Sequence, residues 1–130
     1  MSYYLGKTVS GPFDTVVSSV LTQLKARGFG VLCDIDVQAT LKAKLGVDSP
    51  KYRILGACNP RFAHEALQLE ERLGVLLPCN VIVRETPDHQ IEVASIDPVS
   101  SLERTGNPAL NTLAAEVRRL LADAIEQVGT

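Results

Sequence analysis

The sequence predicts an α+β fold in which helices pack on one sheet as a two-layer sandwich. Three observations support this: Pro and Gly mark helix ends, apolar residues recur at helical spacing, and short apolar runs separate those segments. Together they predict a mixed five-stranded sheet and about four helices, in the order β-α-β-α-β-α-β-β-α. The helices are too few and too unevenly spaced for a doubly wound sheet.

Four X-Pro steps mark places where a helix can begin. Asn or Asp before the Pro can accept a hydrogen bond from a free backbone N–H, and Pro suits the next position because that N–H has no partner. The steps are Gly11-Pro12, Asn59-Pro60, Asp97-Pro98 and Asn107-Pro108. Gly adopts the left-handed conformation at helix ends without steric clash. The glycines expected at helix ends are Gly28, Gly46, Gly74 and Gly129.

Four apolar stripes between these signals predict amphipathic helices. The first contains residues from Phe13 to Leu24, and the longest extends from Leu110 to Val128. Two shorter stripes follow predicted caps. One extends from Val37 to Leu45 after Asp36, and the other from Ala63 to Leu73 after Asn59.

Five segments are predicted to be strands. They are residues 3–9, 29–35, 52–58, 79–85 and 90–96. Residues 52–58 are apolar on both faces, which is typical of an interior strand. The last two segments flank Thr86-Pro87-Asp88-His89, where Pro at the second turn position predicts a β-hairpin. Because the chain has no repeats, low-complexity tracts or linkers, one domain is expected over residues 1–130.

Composition and charge argue against several classes of partner. The net charge is −2, from 13 basic and 15 acidic side chains, so no clustered basic face for nucleic acid or for a membrane surface is expected. The longest apolar stretch is too short to span a bilayer. No signal peptide is recognisable, and three cysteines leave one thiol unpaired in any pairing. A cytoplasmic location with reduced thiols is therefore expected.

Two Cys-Asn steps, Cys58-Asn59 and Cys79-Asn80, are the main candidates for chemistry, since each lies at the end of a predicted strand. If those strands are neighbours, the two thiols lie close together. The simplest interpretation is packing, because free cysteines are among the most buried residues. The alternative is a reactive thiol, since Cys58 precedes a helix N-terminus. However, a helix end contributes about 0.3–1 kcal/mol, which lowers a thiol pKa by less than about one unit.

Metal binding and acid–base catalysis are weaker interpretations. Cys58, Cys79, His64 and Cys33 have no C-x-x-C or H-x-x-x-H spacing, so no metal and no cofactor are expected. Asp34 and Asp36 alternate on one strand and share a face, but Asp36 and Asp97 both stand where helix caps are needed. The chain also lacks a phosphate-binding glycine loop, a G-x-S-x-G elbow and an H-E-x-x-H motif.

The chain also resembles an uncharacterised bacterial and archaeal family, domain of unknown function 302. The resemblance lies in residues 35–41, 44–46, 52–60, 63, 65–67, 74–83 and 96–98. It implies a compact α+β domain and a homodimer, and it implies no established activity, substrate or cofactor.

The matched polar and thiol positions are the ligand-binding candidates. They are Cys58, Asn59, Cys79, Asn80 and Asp97. Two functions remain open: a domain that binds a small ligand or a protein partner, and a thiol-dependent enzyme or redox sensor that uses Cys58 and Cys79.

Overall fold

A computed structural model of the protein describes residues 2–129, which form five strands and five helices in the order β-α-β-α-β-α-β-β-α-α. The strands are β1 Tyr4–Val9, β2 Gly30–Asp36, β3 Tyr52–Cys58, β4 Cys79–Glu85 and β5 Ile91–Ile96. The helices are α1 Phe13–Lys25, α2 Val37–Leu45, α3 Pro60–Leu69, α4 Pro98–Glu103 and α5 Asn111–Gln127. The chain also forms two short 3₁₀ turns, at Leu73–Leu76 and Pro108–Leu110. The α+β prediction is therefore confirmed.

The five strands form one sheet in the order β1-β5-β4-β3-β2. Every neighbouring pair is antiparallel, so the predicted mixed sheet is wrong. The reason lies in the connections. The segments that contain α2 and α3 each join two adjacent strands and return the chain as long hairpins, whereas a parallel pair needs a crossover. Only the segment with α1 crosses the sheet, from edge strand β1 to edge strand β2.

The predicted helix ends are correct at some positions and wrong at others. Asp36 caps α2 by accepting a hydrogen bond from the Ala39 N–H at 2.9 Å, and Gly46 ends it with a φ of 68°. In contrast, α3 ends at Leu69, and Gly74 lies inside a 3₁₀ turn. The Asp97-Pro98 step begins a short helix of its own, so five helices replace the expected four.

Two separate hydrophobic clusters hold the layers together. The large core lies between the sheet and helices α1 and α5. Its members include Phe13, Val17, Val20, Leu24, Leu55, Val81, Val83, Val93, Leu121 and Ile125. The small cluster joins α3, α4, α5 and the two 3₁₀ turns. Its buried members are Ala66, Leu73, Leu102, Leu110 and Ala114.

The opposite face of the sheet, here termed the open face, carries the alternate side chains of the strands. They are Cys33 and Ile35 on β2; Tyr52, Ile54 and Gly56 on β3; Asn80, Ile82 and Arg84 on β4; Glu92, Ala94 and Ile96 on β5; and Tyr4, Gly6 and Thr8 on β1. A shallow hollow of about 440 Å³ lies on this face, and its lining residues all belong to the strands except Tyr3. The sheet therefore buries one face in the large core and presents the other outward.

Candidate functional site

Cys58 and Cys79, which were expected to lie close together if their strands are neighbours, are at the same edge of the sheet. Strands β3 and β4 are antiparallel neighbours, so the last residues of β3 adjoin the first of β4. Cys79 stands opposite Ala57, the residue before Cys58. Directly after Cys58, the chain turns at Asn59 into α3.

A cavity of about 50 Å³ adjoins this edge, at the seam between the large core and the small cluster. Its wall combines both clusters with the strand ends and is almost entirely apolar. The lining residues that the large core or its margin supplies are Phe29, Ala57, Phe62, Cys79 and Val117. Those of the small cluster and its margin are Ala66, Leu73, Leu76, Leu77, Leu102 and Leu113. No Asp, Glu, Lys, Arg or His lines the cavity.

The cavity brings together three of the five predicted site residues: Cys58, Asn59 and Cys79. Asn80 lies elsewhere, on the open face opposite Gly56, and it lines the hollow there. The reason is the period of two along a strand, which directs Asn80 to the face opposite that of Cys79. Asp97 is also outside the lining, although the next residue, Pro98, is part of it.

Asn59 occupies the predicted N-cap of α3, but its side chain makes no cap hydrogen bond. Its Nδ2 instead donates to the carbonyl oxygen of Arg27 at 3.4 Å, across the turn that follows α1. Asn59 therefore joins the start of α3 to the end of α1, and this part of the capping prediction is wrong.

Cys79 carries a thiol that resists ionisation. Burial raises the pKa of Cys79 to about 11, and the nearby Cys58, once charged, contributes to the same shift. At neutral pH the Cys79 thiol is therefore protonated and weakly nucleophilic. All three cysteines are free thiols. This is the reverse of what a thiol-dependent enzyme needs from Cys79, and the described part of the chain offers no support for that alternative.

Asp97 is 5% exposed and has a structural role. Its carboxylate accepts a hydrogen bond from the Val99 N–H at 2.9 Å, which confirms it as the cap of α4. The same carboxylate pairs with Nε of Arg118 on α5 at 3.1 Å. Asp97 therefore holds α4, one wall of the cavity, against α5.

The paired acids of β2 do not form an acid–base couple. Asp34 forms an ion pair with Arg53 of β3, and hydrogen bonding from that guanidinium lowers the pKa of the Asp34 carboxyl. Asp36 caps α2 instead. Among residues 2–129, no group of three or more His, Cys, Asp or Glu side chains could hold a metal ion.

Several residues that build the cavity were not singled out by the sequence. Phe62 lies outside the apolar stripes used for prediction, and Leu113 and Val117 were part of a longer stripe with no functional signal. Leu77 and Pro78 were noted only as part of the family resemblance. Arg118 carried no functional signal in the sequence either, but its side chain donates a hydrogen bond to Asp97. Only the three-dimensional meeting of two clusters distinguishes these residues from ordinary core.

Comparison with known proteins agrees with this structure. The model of the family described as "Domain of unknown function DUF302" matches residues 5–128. The chain belongs to the DUF302 family. The predicted family resemblance is therefore confirmed over nearly the whole chain.

A solved DUF302 structure has the same fold. It is the crystal structure of an uncharacterized conserved protein DUF302 from Bacillus stearothermophilus, with 27% sequence identity and a TM-score of 0.92. The alignment covers 98% of this chain and 99% of that one. No curated protein matches the chain. Family membership therefore establishes the fold and leaves the activity open. In the described residues, no helix is long and apolar enough to cross a membrane.

Proposed function

We propose that this DUF302 domain binds a small, uncharged, apolar ligand in the cavity between the large core and the small cluster, here termed the seam cavity. The observation that supports the proposal is the lining, which joins two hydrophobic clusters and contains no charged side chain. Ligand pockets are usually concave and apolar, with a few polar groups that fix orientation. Here Cys58, Asn59, Cys79 and Ser101 are the polar residues of the wall.

The size of the cavity limits the ligand. A cavity of roughly 150 Å³ accommodates benzene, and one water molecule occupies about 30 Å³ in the liquid. At about 50 Å³, the seam cavity suits a short alkyl group without rearrangement. Larger ligands require the walls supplied by α4 or the turn at Leu73–Leu76 to move outward. Because the Cys79 thiol is neutral, it contributes a weak hydrogen-bond donor rather than a charge.

Xenon tests the cavity directly because it is small, apolar and chemically inert. Methyl NMR spectra recorded under xenon pressure should show saturable shifts confined to the methyl groups that line the cavity, among them those of Leu102, Leu113 and Val117. Titration with 1-butanol should shift the same signals.

The variant Ala63→Leu should abolish the xenon response, because Ala63 lines the cavity and a larger side chain fills it. Ala43→Leu on the exposed surface of α2 is the matched control and should respond as the wild type does. Unshifted cavity methyls in the wild-type protein would refute the proposal, as would an unchanged response in a folded Ala63→Leu protein.

The chain is also proposed to act in the cytoplasm as a homodimer. The three free cysteines support the location, because reduced thiols are the normal state there. The homodimer follows from the family resemblance, and the outward-facing side of the sheet offers a surface for it. Sedimentation velocity at micromolar concentration tests the dimer, and a purely monomeric protein contradicts it.

A further inference from the structure

We infer that the open face of the sheet is the homodimer interface, and that two copies pack on it face to face about a two-fold axis parallel to the strands. This inference rests on the proposed homodimer and names its surface. Three independent features of the open face lead to it: the distribution of large and small side chains, the arrangement of charges, and the available area.

The middle row of the open face changes in size from one edge to the other. Antiparallel partners align Ile54 of β3 with Ile82 of β4, Ile82 with Ala94 of β5, and Ala94 with Gly6 of β1. The row therefore has large side chains on β3 and β4, its raised half, and a methyl group or no side chain on β5 and β1, its low half. No residue larger than glycine fits at position 6, because a Cβ on Gly6 would lie 2.9 Å from the carbonyl oxygen of Val93. The two middle residues of the row, Ile82 and Ala94, line the hollow of about 440 Å³.

A two-fold axis between β4 and β5 makes this row complementary to itself. Rotation about that axis places Ile82 over the partner's Ala94 and Ile54 over the partner's Gly6. Each large side chain then meets a small one, and the same contacts occur twice, as an isologous interface requires. Two sheets that pack face to face interdigitate their side chains in this manner.

The neighbouring row supplies the charges that select the axis. Arg84 of β4 and Glu92 of β5 stand opposite each other and pair within one chain, with Nε of Arg84 and Oε1 of Glu92 2.6 Å apart. The axis between these strands also places Arg84 opposite the partner's Glu92, so four charges alternate in sign. An axis centred on β4 would instead oppose Arg84 to the partner's Arg84 and repel.

The area over which the two sheets overlap is large enough for a specific dimer of modest affinity. Strands β3, β4, β5 and β1 overlap, whereas β2 and α2 project beyond the partner. Strand spacing and rise give a projected area of about 400 Å² per copy. Corrugated side chains bring the total buried area to about 1,000 Å², which is the lower bound for a biological interface. We therefore expect a dissociation constant in the micromolar range, as is typical of weak interfaces of this size.

Charge reversal in two separate variants tests the arrangement. Arg84→Glu places two carboxylates on each copy, and Glu92→Arg places two guanidinium groups. Each variant alone opposes like charges across the interface, so its dimer should dissociate at least about tenfold more readily. An equimolar mixture of the two should form a heterodimer near wild-type affinity, because opposite charges then face each other. The pair within each chain stays broken in the mixture, so recovery reports the contact between chains alone.

The matched control is the exposed pair on α5. Glu116 and Arg119 also pair within one chain, but they lie outside the open face. Glu116→Arg, Arg119→Glu and their mixture should all sediment like the wild type. Circular dichroism verifies the fold of every variant. Intermolecular NOEs between the methyl groups of Ile82 and Ala94, in mixed isotope-labelled wild-type protein, test the same contact without any substitution.

The outcomes separate the interface from the dimer itself. A wild-type protein that stays monomeric overturns both the homodimer and this surface. A wild-type dimer that persists unweakened in both single variants, or one without the Ile82–Ala94 NOEs, overturns the surface and leaves the homodimer standing. Xenon binding in the seam cavity does not depend on either result, because that cavity lies on the other side of the sheet.

Discussion

The large core and the small cluster differ in the length of the elements that form them. The large core joins long helices to a five-stranded sheet, and Leu55, Val81, Val83, Val93 and Leu121 have no exposed area. The small cluster joins short elements, of which α4 has six residues and the neighbouring 3₁₀ turns four and three. The cavity lies where the two meet. Long helices and the sheet therefore supply one wall of the cavity, and short elements contribute much of the other.

The largest predicted difference compares two buried leucines. Leu121→Ala should lower the free energy of unfolding by about 3–5 kcal/mol, because the surrounding sheet and helices cannot collapse into the space. Leu102→Ala should cost about 2–3 kcal/mol, because Leu102 already borders a cavity and α4 is short enough to move. Urea denaturation measures both, and an equal or larger cost for Leu102→Ala would contradict the comparison.

Removing the Asp97 interactions that hold α4 should have a smaller effect on stability. Asp97→Ala removes the hydrogen bond to Val99 and the ion pair with Arg118, so it should cost about 1–2 kcal/mol. Hydrogen exchange should accelerate in α4 more than in α1. The matched control is Asp36→Ala, which removes an exposed cap from α2 and should cost about 0.5–1 kcal/mol without affecting α4. Uniform acceleration across all helices after Asp97→Ala would show that α4 does not open by itself.

Alkaline pH should lower the free energy of unfolding through ionisation of the Cys79 thiol. Its folded pKa is about 11 and its ordinary value is 9.0, so the unfolded chain ionises first. The contribution of the neutral thiol is fully present below pH 9 and is lost as the pH rises toward 11. We expect a loss on the order of 1 kcal/mol over this range, measured as the difference between wild-type protein and Cys79→Ala. A parallel pH dependence of the two proteins would contradict the assignment.

The smallest effect is expected on α2, which contributes no residue to either cluster. Lys42 and Asp48 form an ion pair at 2.9 Å, with side chains 60% and 91% exposed. Asp48→Asn should change the free energy of unfolding by less than about 0.5 kcal/mol, since solvent and salt screen such pairs. A larger loss in thermal denaturation would show that α2 is coupled to the clusters.

The sequence predicted the bounds of single strands better than it predicted the relative direction of neighbouring strands. The bounds of β3 and β4 were correct, because alternation and flanking turn residues are local signals. The antiparallel direction was missed, since it depends on which strands become neighbours after the chain folds back.

The candidate site shows the same difference between local and long-range prediction. The sequence placed Cys58 and Cys79 close together only on the condition that their strands are neighbours, and β3 and β4 are neighbours. Asn80 was grouped with Asn59 because both follow a cysteine. One asparagine begins a helix and the other continues a strand, so they lie on different sides of the sheet. The remaining cavity walls depend on contacts between distant segments, which no local pattern in a single sequence encodes.

The open face has a further consequence for spectroscopy. The chain contains three tyrosines and no tryptophan. All three tyrosines, Tyr3, Tyr4 and Tyr52, line the hollow on the open face. The tyrosine fluorescence of the protein therefore originates from this surface, and the wild-type protein carries a built-in optical reporter of whatever covers the sheet.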